Sequence, residues 1–292
     1  MASIEERFPR ASVMGVVNVT PDSFSDGGVN FNAADAIAAA RQMVDEGAAI
    51  VDVGGESTRP GSAGVTLDEE LRRVVPVLEA LQGEVPVSID TTKAEVARRA
   101  VELGAELVND VTALRGDQEL AEVVASSGAY LCLMHMQGEP RTMQLDPTYD
   151  DVAGEIAAFL EARLRFAVDA GIPEERICLD PGFGFGKAVE QNFELLRRLG
   201  EIVSLGRPVL VGISRKRSLG RILGDPEATT GPLSASIAAA VEAYERGATI
   251  FRVHDVREHV EALTIAMAVE TASGPAEPGS AGRERAGQGR EG

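Results

Sequence analysis

The chain repeats one pattern eight times: a short apolar segment, a polar stop, then an Ala-, Glu- and Arg-rich stretch with helical spacing. The apolar segments lie at roughly 13–17, 49–53, 85–89, 105–109, 129–134, 176–179, 208–213 and 249–253. Each is rich in β-branched residues or Leu and too short for a buried helix, so each reads as a strand. Helical spacing runs over 33–46, 67–81, 93–103, 152–170, 193–199 and 237–246. Gly47, Gly104, Gly171 and Gly247 follow four of these stretches, where a left-handed C-cap favours glycine. Near-continuous apolar strands alternating with helices predict a parallel sheet covered by helices. Eight such units predict a closed (β/α)8 TIM barrel, a fold of about 250 residues, over an open doubly wound sheet. No Gly-x-Gly-x-x-Gly opens the first helix, as a dinucleotide fold requires. Gly182-Phe183-Gly184-Phe185-Gly186 follows the sixth strand, but its spacing is neither that fingerprint nor a P-loop.

The pattern divides the chain into an N-terminal extension at 1–11, one barrel domain at 12–271 and a tail at 272–292. The extension is expected to cross the barrel bottom or remain loose. The tail is Gly, Ala, Pro, Glu and Arg with almost no apolar residue, and is expected to be disordered. A net charge of -18 and an aromatic content of 4% without Trp argue against nucleic acid or an anionic membrane as partner. Residues 1–10 carry Glu5, Glu6 and Arg7 and no apolar run, so no secretory leader is expected. Cys132 and Cys178 both sit in apolar segments. Buried, reduced thiols in the cytoplasm are expected, rather than a disulfide framework.

In a parallel barrel the C-terminal strand ends converge on one face, and chemistry is placed there. Those ends are Asn18, the run from Gly54 to Arg59, Asp90, Asn109-Asp110, His135, Asp180, Ser214-Arg215-Lys216 and Arg252-Val253-His254-Asp255. A lone Asp at a strand end is more often a cap or turn residue. Eight polar ends on one face define a pocket. Lys216 stands out within it, because the chain holds three lysines (Lys93, Lys187, Lys216) against 25 arginines.

The pocket has two characters. Asp90, Asn109, Asp180 and Lys216 suit a flat heterocycle with several N–H donors and a carbonyl. A buried ion pair of Lys216 with Asp180 or Asp90 is the purely structural alternative. Asn18, Thr58, Arg59, Arg252 and His254 suit a phosphate or diphosphate. Asn18 offers one oxygen to a hard cation such as Mg²⁺, whose remaining ligands would be substrate oxygens and water. His135 and His259 have no metal-ligand spacing with His254, so no zinc site is expected. Two loops dense in Gly, Pro, Ser and Asp, 20–28 and 57–64, follow strand ends and read as lids.

The motifs resemble those of the dihydropteroate synthases. The run from Met14 through Asn18-Val19-Thr20-Pro21-Asp22-Ser23-Phe24 to Gly28 is similar to that family's first signature. Asp52-Val53-Gly54-Gly55-Glu56-Ser57-Thr58-Arg59-Pro60-Gly61 resembles its second. Ser88-Ile89-Asp90, Val108-Asn109-Asp110, Met134-His135-Met136, Asp180-Pro181-Gly182, Ser214-Arg215-Lys216 and Arg252-Val253-His254 follow in the family's order. The likeness covers about residues 12 to 270.

The resemblance implies a homodimeric TIM barrel of folate biosynthesis. It would join 6-hydroxymethyl-7,8-dihydropterin diphosphate to p-aminobenzoate with Mg²⁺, and be a target of sulfonamides. By position it implies Lys216, Asp90 and Asp180 as catalytic residues. Asp90, Asn109, Asp180, Lys216, Met134 and Gly212 would bind the pterin. Asn18, Thr58, Arg252 and His254 would bind the diphosphate, with Asn18 on the metal. Arg59, Pro60, Phe185 and Lys216 would lie near p-aminobenzoate. Two places depart from the family pattern. Arg217 follows the lysine where Ser or Thr is common, which bears on affinity for p-aminobenzoate and its sulfonamide mimics. Gly231-Pro232-Leu233-Ser234 replaces a more usual Gly-Ser pairing, where a local loop change is expected. A pterin-barrel methyltransferase would share Asp90, Asn109 and Asp180 but has no need of Arg252-Val253-His254. A non-catalytic pterin-binding paralogue would not need the intact Asn18, Thr58, Arg59, Lys216 and His254.

Overall fold

The computed structural model describes residues 2–20, 33–57, 64–138, 142, 143, 145 and 147–272. Strands β1 (Ser12–Asn18), β2 (Ile50–Gly54), β3 (Val87–Asp90), β4 (Leu107–Asp110), β5 (Tyr130–Met134), β6 (Ile177–Asp180), β7 (Leu210–Val211) and β8 (Ile250–Val253) are all parallel. Their order is β6-β5-β4-β3-β2-β1-β8-β7, and a bridge between Leu179 and Val209 joins the two ends. This is the expected (β/α)8 barrel. Helices follow the strands: α1 (Ile4–Arg7) precedes β1, then come α2 (Ala33–Asp45), α3 (Leu67–Leu81), α4 (Ala94–Glu102) and α5 (Leu120–Ser127). The second half carries α6 (Val152–Asp169), α7 (Val189–Arg197), α8 (Gly200–Val203), α9 (Arg217–Ile222), α10 (Leu233–Glu245) and α11 (Val256–Thr271).

Several elements differ in their bounds from the sequence expectation, α10 among them at Leu233–Glu245 in place of 237–246, and two do so for clear local reasons. The seventh strand was expected over 208–213, but its regular pairing spans only Leu210–Val211, with Val209 adding the isolated bridge to Leu179. Pro208 has no N–H to give the ladder, although its carbonyl accepts from the Leu179 N–H at 2.9 Å. The helix expected at 193–199 starts four residues earlier, at Val189. There the Gln191 side chain accepts the Ala188 N–H at 2.7 Å and satisfies the first turn. The departure at Gly231-Pro232 is the start of α10, with Pro232 as its N-cap.

Period-2 alternation sorts each strand into two faces. Outward residues such as Val13, Val51, Ile89, Val108, Leu131, Leu179 and Phe251 form one apolar layer with the surrounding helices. Inward residues change character along the barrel axis. At the bottom Met14, Ile50, Leu107, Tyr130, Cys132, Cys178, Leu210 and Ile250 form a second apolar cluster. Ile4 and Phe8 of the N-terminal extension complete it, with Phe8 set edge-on to Tyr130 at 5.8 Å. The extension therefore plugs the barrel bottom, and each of its two anchors is worth about 2 kcal/mol in apolar burial. Cys132 and Cys178 are register partners on β5 and β6, and both thiols are free and buried. Toward the other end the inward positions turn polar.

Candidate active site

Asp90, Asn109, Met134, Asp180, Gly212, Lys216 and Arg252 line one pocket at the C-terminal end of the barrel, with Phe183, Phe185 and Val111. All seven are residues expected there from the sequence. Strand order groups them: β3, β4, β5, β6 and β7 are consecutive around the barrel, and β8 and β1 close the ring beside β2. Asn18 ends β1, between the tops of β2 and β8. Arg252 and His254 come from and just after β8, on that same side. Thr58, Arg59 and Pro60 lie outside the described residues, as do most of both lid loops and residues 273–292 of the tail.

Arg252 reaches further than its expected role. Its Nε donates to Asp52 at 2.6 Å and its Nη2 to Asp90 at 2.9 Å. The guanidinium thus spans the two halves of the pocket. Burial opposes its charge, but Asp52 and Asp90 outweigh burial and hold its pKa above the ordinary value. Asp90 is pushed upward by burial, while Arg252 pulls it back. Burial likewise raises Asp180 to about 6, against a hydrogen bond from the Gly182 N–H (2.7 Å) and the charges of Lys216 and Lys187. Lys216 Nζ lies 4.2 Å from the centre of the Phe185 ring, a cation–π contact inside the pocket.

His254 is held neutral at physiological pH: burial, then the charge of Arg252, lower its pKa to about 3. Its Nδ1 lies 3.2 Å from Ser214 Oγ. Arg215 turns away from the pocket and clamps Asp255, its Nε 2.9 Å from Oδ2. Arg217 begins α9 and is partly buried, and burial lowers its pKa. Asp110 is a turn residue: it accepts from the N–H groups of Thr112 (2.8 Å) and Leu114 (2.6 Å). His259 faces its own helix, with Nδ1 2.6 Å from the Asp255 carbonyl.

The other two lysines also stand on this face and had no expected role. Lys187 is almost fully buried behind the β6 loop. It donates to the carbonyls of Gly182 (2.8 Å) and Phe185 (3.0 Å) and lies 3.0 Å from His135 Nδ1. Burial and the Lys187 charge press the His135 pKa down to about 2, leaving a neutral acceptor. The glycine run serves this packing. Gly182 has φ +70, and a Cβ there would meet the His135 carbonyl oxygen at 1.9 Å; at Gly186, φ +62, it would meet that of Gln137 at 2.5 Å. Lys93 joins Glu56, at the end of β2, to the wholly buried Glu70 of α3, whose other oxygen accepts from Thr91 at 2.6 Å. Arg73 donates to the Gly55 carbonyl at 2.8 Å. The residues before the second lid loop are therefore fixed by α3 and α4. The rarity of lysine was the sequence signal that could have found Lys93 and Lys187.

Among the described residues no group of three His, Cys, Asp or Glu could hold a metal ion. Asn18, partly exposed at the end of β1, carries one neutral amide oxygen, the kind of single protein ligand that Mg²⁺ accepts beside waters and substrate oxygens. Among the described residues no helix is long and apolar enough to cross a membrane.

A barrel whose polar strand ends line one pocket with carboxylates, an amide and two cations is a barrel enzyme acting on a polar heterocycle. The comparisons agree. The pterin-binding enzyme family model matches residues 14–254. The dihydropteroate synthase of Escherichia coli K12 is 48% identical over 265 residues, 89% of this chain and 92% of that protein. The Yersinia pestis dihydropteroate synthase, solved with a sulfonamide drug complex, has a TM-score of 0.84 at 46% identity, covering 90% of this chain and 95% of that one. The Xanthomonas albilineans enzyme in complex with 7,8-dihydropteroate has a TM-score of 0.80 at 45% identity, covering 91% and 95%.

The chain belongs to the pterin-binding enzyme family, on its dihydropteroate synthase branch. Its activity is transfer of a pterinylmethyl group in folate biosynthesis: 6-hydroxymethyl-7,8-dihydropterin diphosphate and p-aminobenzoate give 7,8-dihydropteroate and diphosphate.

Proposed function

We propose that the two halves of the pocket divide this reaction between them. Asp90, Asn109, Asp180 and Lys216, with Met134 and Gly212, hold the pterin. Asn18, Thr58, Arg252 and His254 hold the diphosphate. Arg59, Pro60, Phe185 and Lys216 receive p-aminobenzoate. The observation that carries this reading is Asn109 Oδ1. It is buried and has no hydrogen-bond partner, and it lines the pocket between two carboxylates. A buried acceptor without a partner costs about 1–3 kcal/mol, which a ligand N–H recovers. A pterin edge presents several such donors.

In the reaction the bond between the pterin methylene and the diphosphate oxygen breaks, and its electron pair leaves with diphosphate. The arylamine nitrogen forms the new bond to the methylene carbon and gives up one N–H proton to the departing diphosphate or to water. Magnesium, held by Asn18 and diphosphate oxygens, would neutralise the leaving group. Arg252 adds a fixed positive charge on that side, and neutral His254 can donate a hydrogen bond. Asp90 and Asp180 offset positive charge that grows on the ring. Lys216, over Phe185 and near enough to pull down the Asp180 pKa, aligns the ring against the incoming amine. No side-chain nucleophile is needed.

Purified protein supplied with the pterin diphosphate and Mg²⁺ should release diphosphate and form dihydropteroate only when p-aminobenzoate is present, and chelation should suppress both. Release indifferent to p-aminobenzoate, with no dihydropteroate formed, would sink this division of roles. The carboxylates also set a pH dependence. Their folded pKa values are raised by burial, Asp180 to about 6 and Asp90 to about 7, so they ionise, and accept ring N–H groups as carboxylates, only above those values. The kcat/KM for the pterin diphosphate should therefore fall as pH drops through about 6, and a flat profile between pH 5 and 8 would refute the acceptor roles. The sign for stability is opposite: a raised carboxylate pKa costs stability as pH rises through the folded value.

We further propose a homodimer in a reducing cytoplasm. The free cysteine pair supports the compartment. The dimer is supported by a groove of about 370 Å³ between α7, α9 and α10, lined by Phe193, Leu219 and Ala239. Ile222 and Leu223 at its edge are 55% and 65% exposed. A second copy would cover this apolar face. Leu223→Glu should convert a sedimenting dimer to monomer, and a wild-type monomer at tens of micromolar would end the proposal.

A further inference from the structure

Asp52 is an acidic side chain paired with Arg252, wholly buried and in the middle of a barrel strand. It lies one inward position below the top of β2, beneath the pocket floor rather than on its wall. Such a group is retained only where every oxygen is satisfied. Here Oδ1 accepts from Ser88 Oγ at 2.6 Å. Oδ2 accepts from both Asn109 Nδ2 at 2.9 Å and Arg252 Nε at 2.6 Å. An ionised carboxylate can only accept. Asn109 must therefore turn its NH₂ group down toward Asp52, and its Oδ1 is left in the pocket, buried and without a partner. The neighbours of that oxygen on the wall are Asp90 and Asp180, also acceptors.

We infer that Asp52 is a positioning residue that sets the hydrogen-bond polarity of the ring-binding wall. By pinning the Asn109 amide, it gives the wall three side-chain acceptors, Asp90, Asn109 and Asp180, and forbids the flip that would offer a donor. The wall then selects a heterocycle that offers N–H donors at position 2 and at N3, as a 2-amino-4-oxo pteridine does, over one carrying a carbonyl at ring position 2. Through Arg252 the same carboxylate fixes the guanidinium that bridges to Asp90. This inference deepens the proposed function and rests on it. The discrimination belongs to the amide's orientation: an amide free to rotate meets either edge, whereas a pinned one leaves an acceptor facing an acceptor. A site built on such pairing rejects the mismatched ring strongly, because its buried polar atom is left unpaired.

The test is direct binding of 6-hydroxymethylpterin and of 6-hydroxymethyllumazine, its 2-oxo analogue, by their fluorescence. Wild-type protein should prefer the pterin. Asp52→Asn keeps the shape but can donate to Asn109, so the amide gains a second orientation. Its preference for pterin over lumazine should shrink by about tenfold or more, since one mismatched buried hydrogen bond costs about 1–3 kcal/mol. Ser88→Ala removes a partner of the same carboxylate without freeing the amide and should leave the ratio unchanged. If Asp52→Asn weakens both ligands equally, or Ser88→Ala lowers the ratio as much, Asp52 has only a structural part and the inference falls. Should Asp52→Asn fail to fold, Asn109→Ala carries the test: the preference must collapse in it, and a preserved ratio overturns the inference. A wild-type protein that binds neither ring would instead refute the pterin reading of the pocket.

Discussion

Lys216→Ala should lose about 10²–10³ in kcat/KM while keeping the fold, the scale seen when one preorganised charged or polar donor is removed from a desolvated site. The side chain is only half-buried and spans Phe185, so the substitution removes little packing beyond one cation–π contact of about 1 kcal/mol. Its effect on chemistry is larger, because Lys216 is a donor that the acceptor wall of Asp90, Asn109 and Asp180 does not supply. It also acts on its neighbour. The Lys216 charge pulls the Asp180 pKa down against burial, so Asp180 in the variant should titrate above its present value of about 6. The acid limb of the pH profile should move to higher pH, a shift that a simple loss of contact would not produce. Steady-state kinetics from pH 5 to 8, with circular dichroism and thermal melting as the check on folding, decide the matter. Near-normal kcat/KM in a folded variant would remove Lys216 from the mechanism.

Arg252→Met should be the most destabilising of these changes, by about 3–5 kcal/mol at neutral pH, the cost of breaking a buried ion pair by removing one partner. Two carboxylates lose their counter-charge at once: Asp52, wholly buried, and Asp90, 7% exposed. The sign of the pH dependence follows. Without Arg252 the folded pKa of Asp90 rises further above its unfolded value, so the folded state binds a proton more readily than the unfolded chain. Stability is then greatest at low pH and is lost as pH rises through the raised folded pKa. The deficit against wild type should be largest near pH 8 and shrink toward pH 5.5. Denaturant unfolding at those two pH values measures it. A deficit below about 1 kcal/mol, or one that does not change with pH, would mean that the bridge is not what balances the barrel centre. Activity should be lost at either pH, because the proposed division of roles also sets this guanidinium toward the leaving group.

Much of this site was legible because a parallel barrel places its polar stops on one face. Asp90, Asn109, Asp180 and Lys216 each interrupt an apolar run at its end, and a polar residue that ends a buried strand has few other reasons to be there. Asp52 was hidden by the same logic. It sits inside its apolar run, flanked by Val51 and Val53, and nothing local says whether its side chain goes to helices or to the barrel axis. Asp110 shows the reverse case. It stands beside Asn109 at a strand end, yet alternation turns it to the other face, where it organises a turn. Lys187 and Lys93 were visible only as rare residues. Their roles depend on carbonyls and carboxylates from other segments, such as Glu70, that no spacing rule connects to them.

The sequence by itself determined the repeat, the closed barrel and the family, since these follow from rules that act within about ten residues or from long motifs met in order. Tertiary structure alone decided which polar ends share a wall. It brings β8 beside β1, so that Arg252 reaches Asp52 across 200 residues and Asp90 across 162. Coulomb and hydrogen-bond energies fall with distance in space and are blind to distance along the chain. The charge balance at the barrel centre, and the direction in which the Asn109 amide must point, exist only once the barrel has closed.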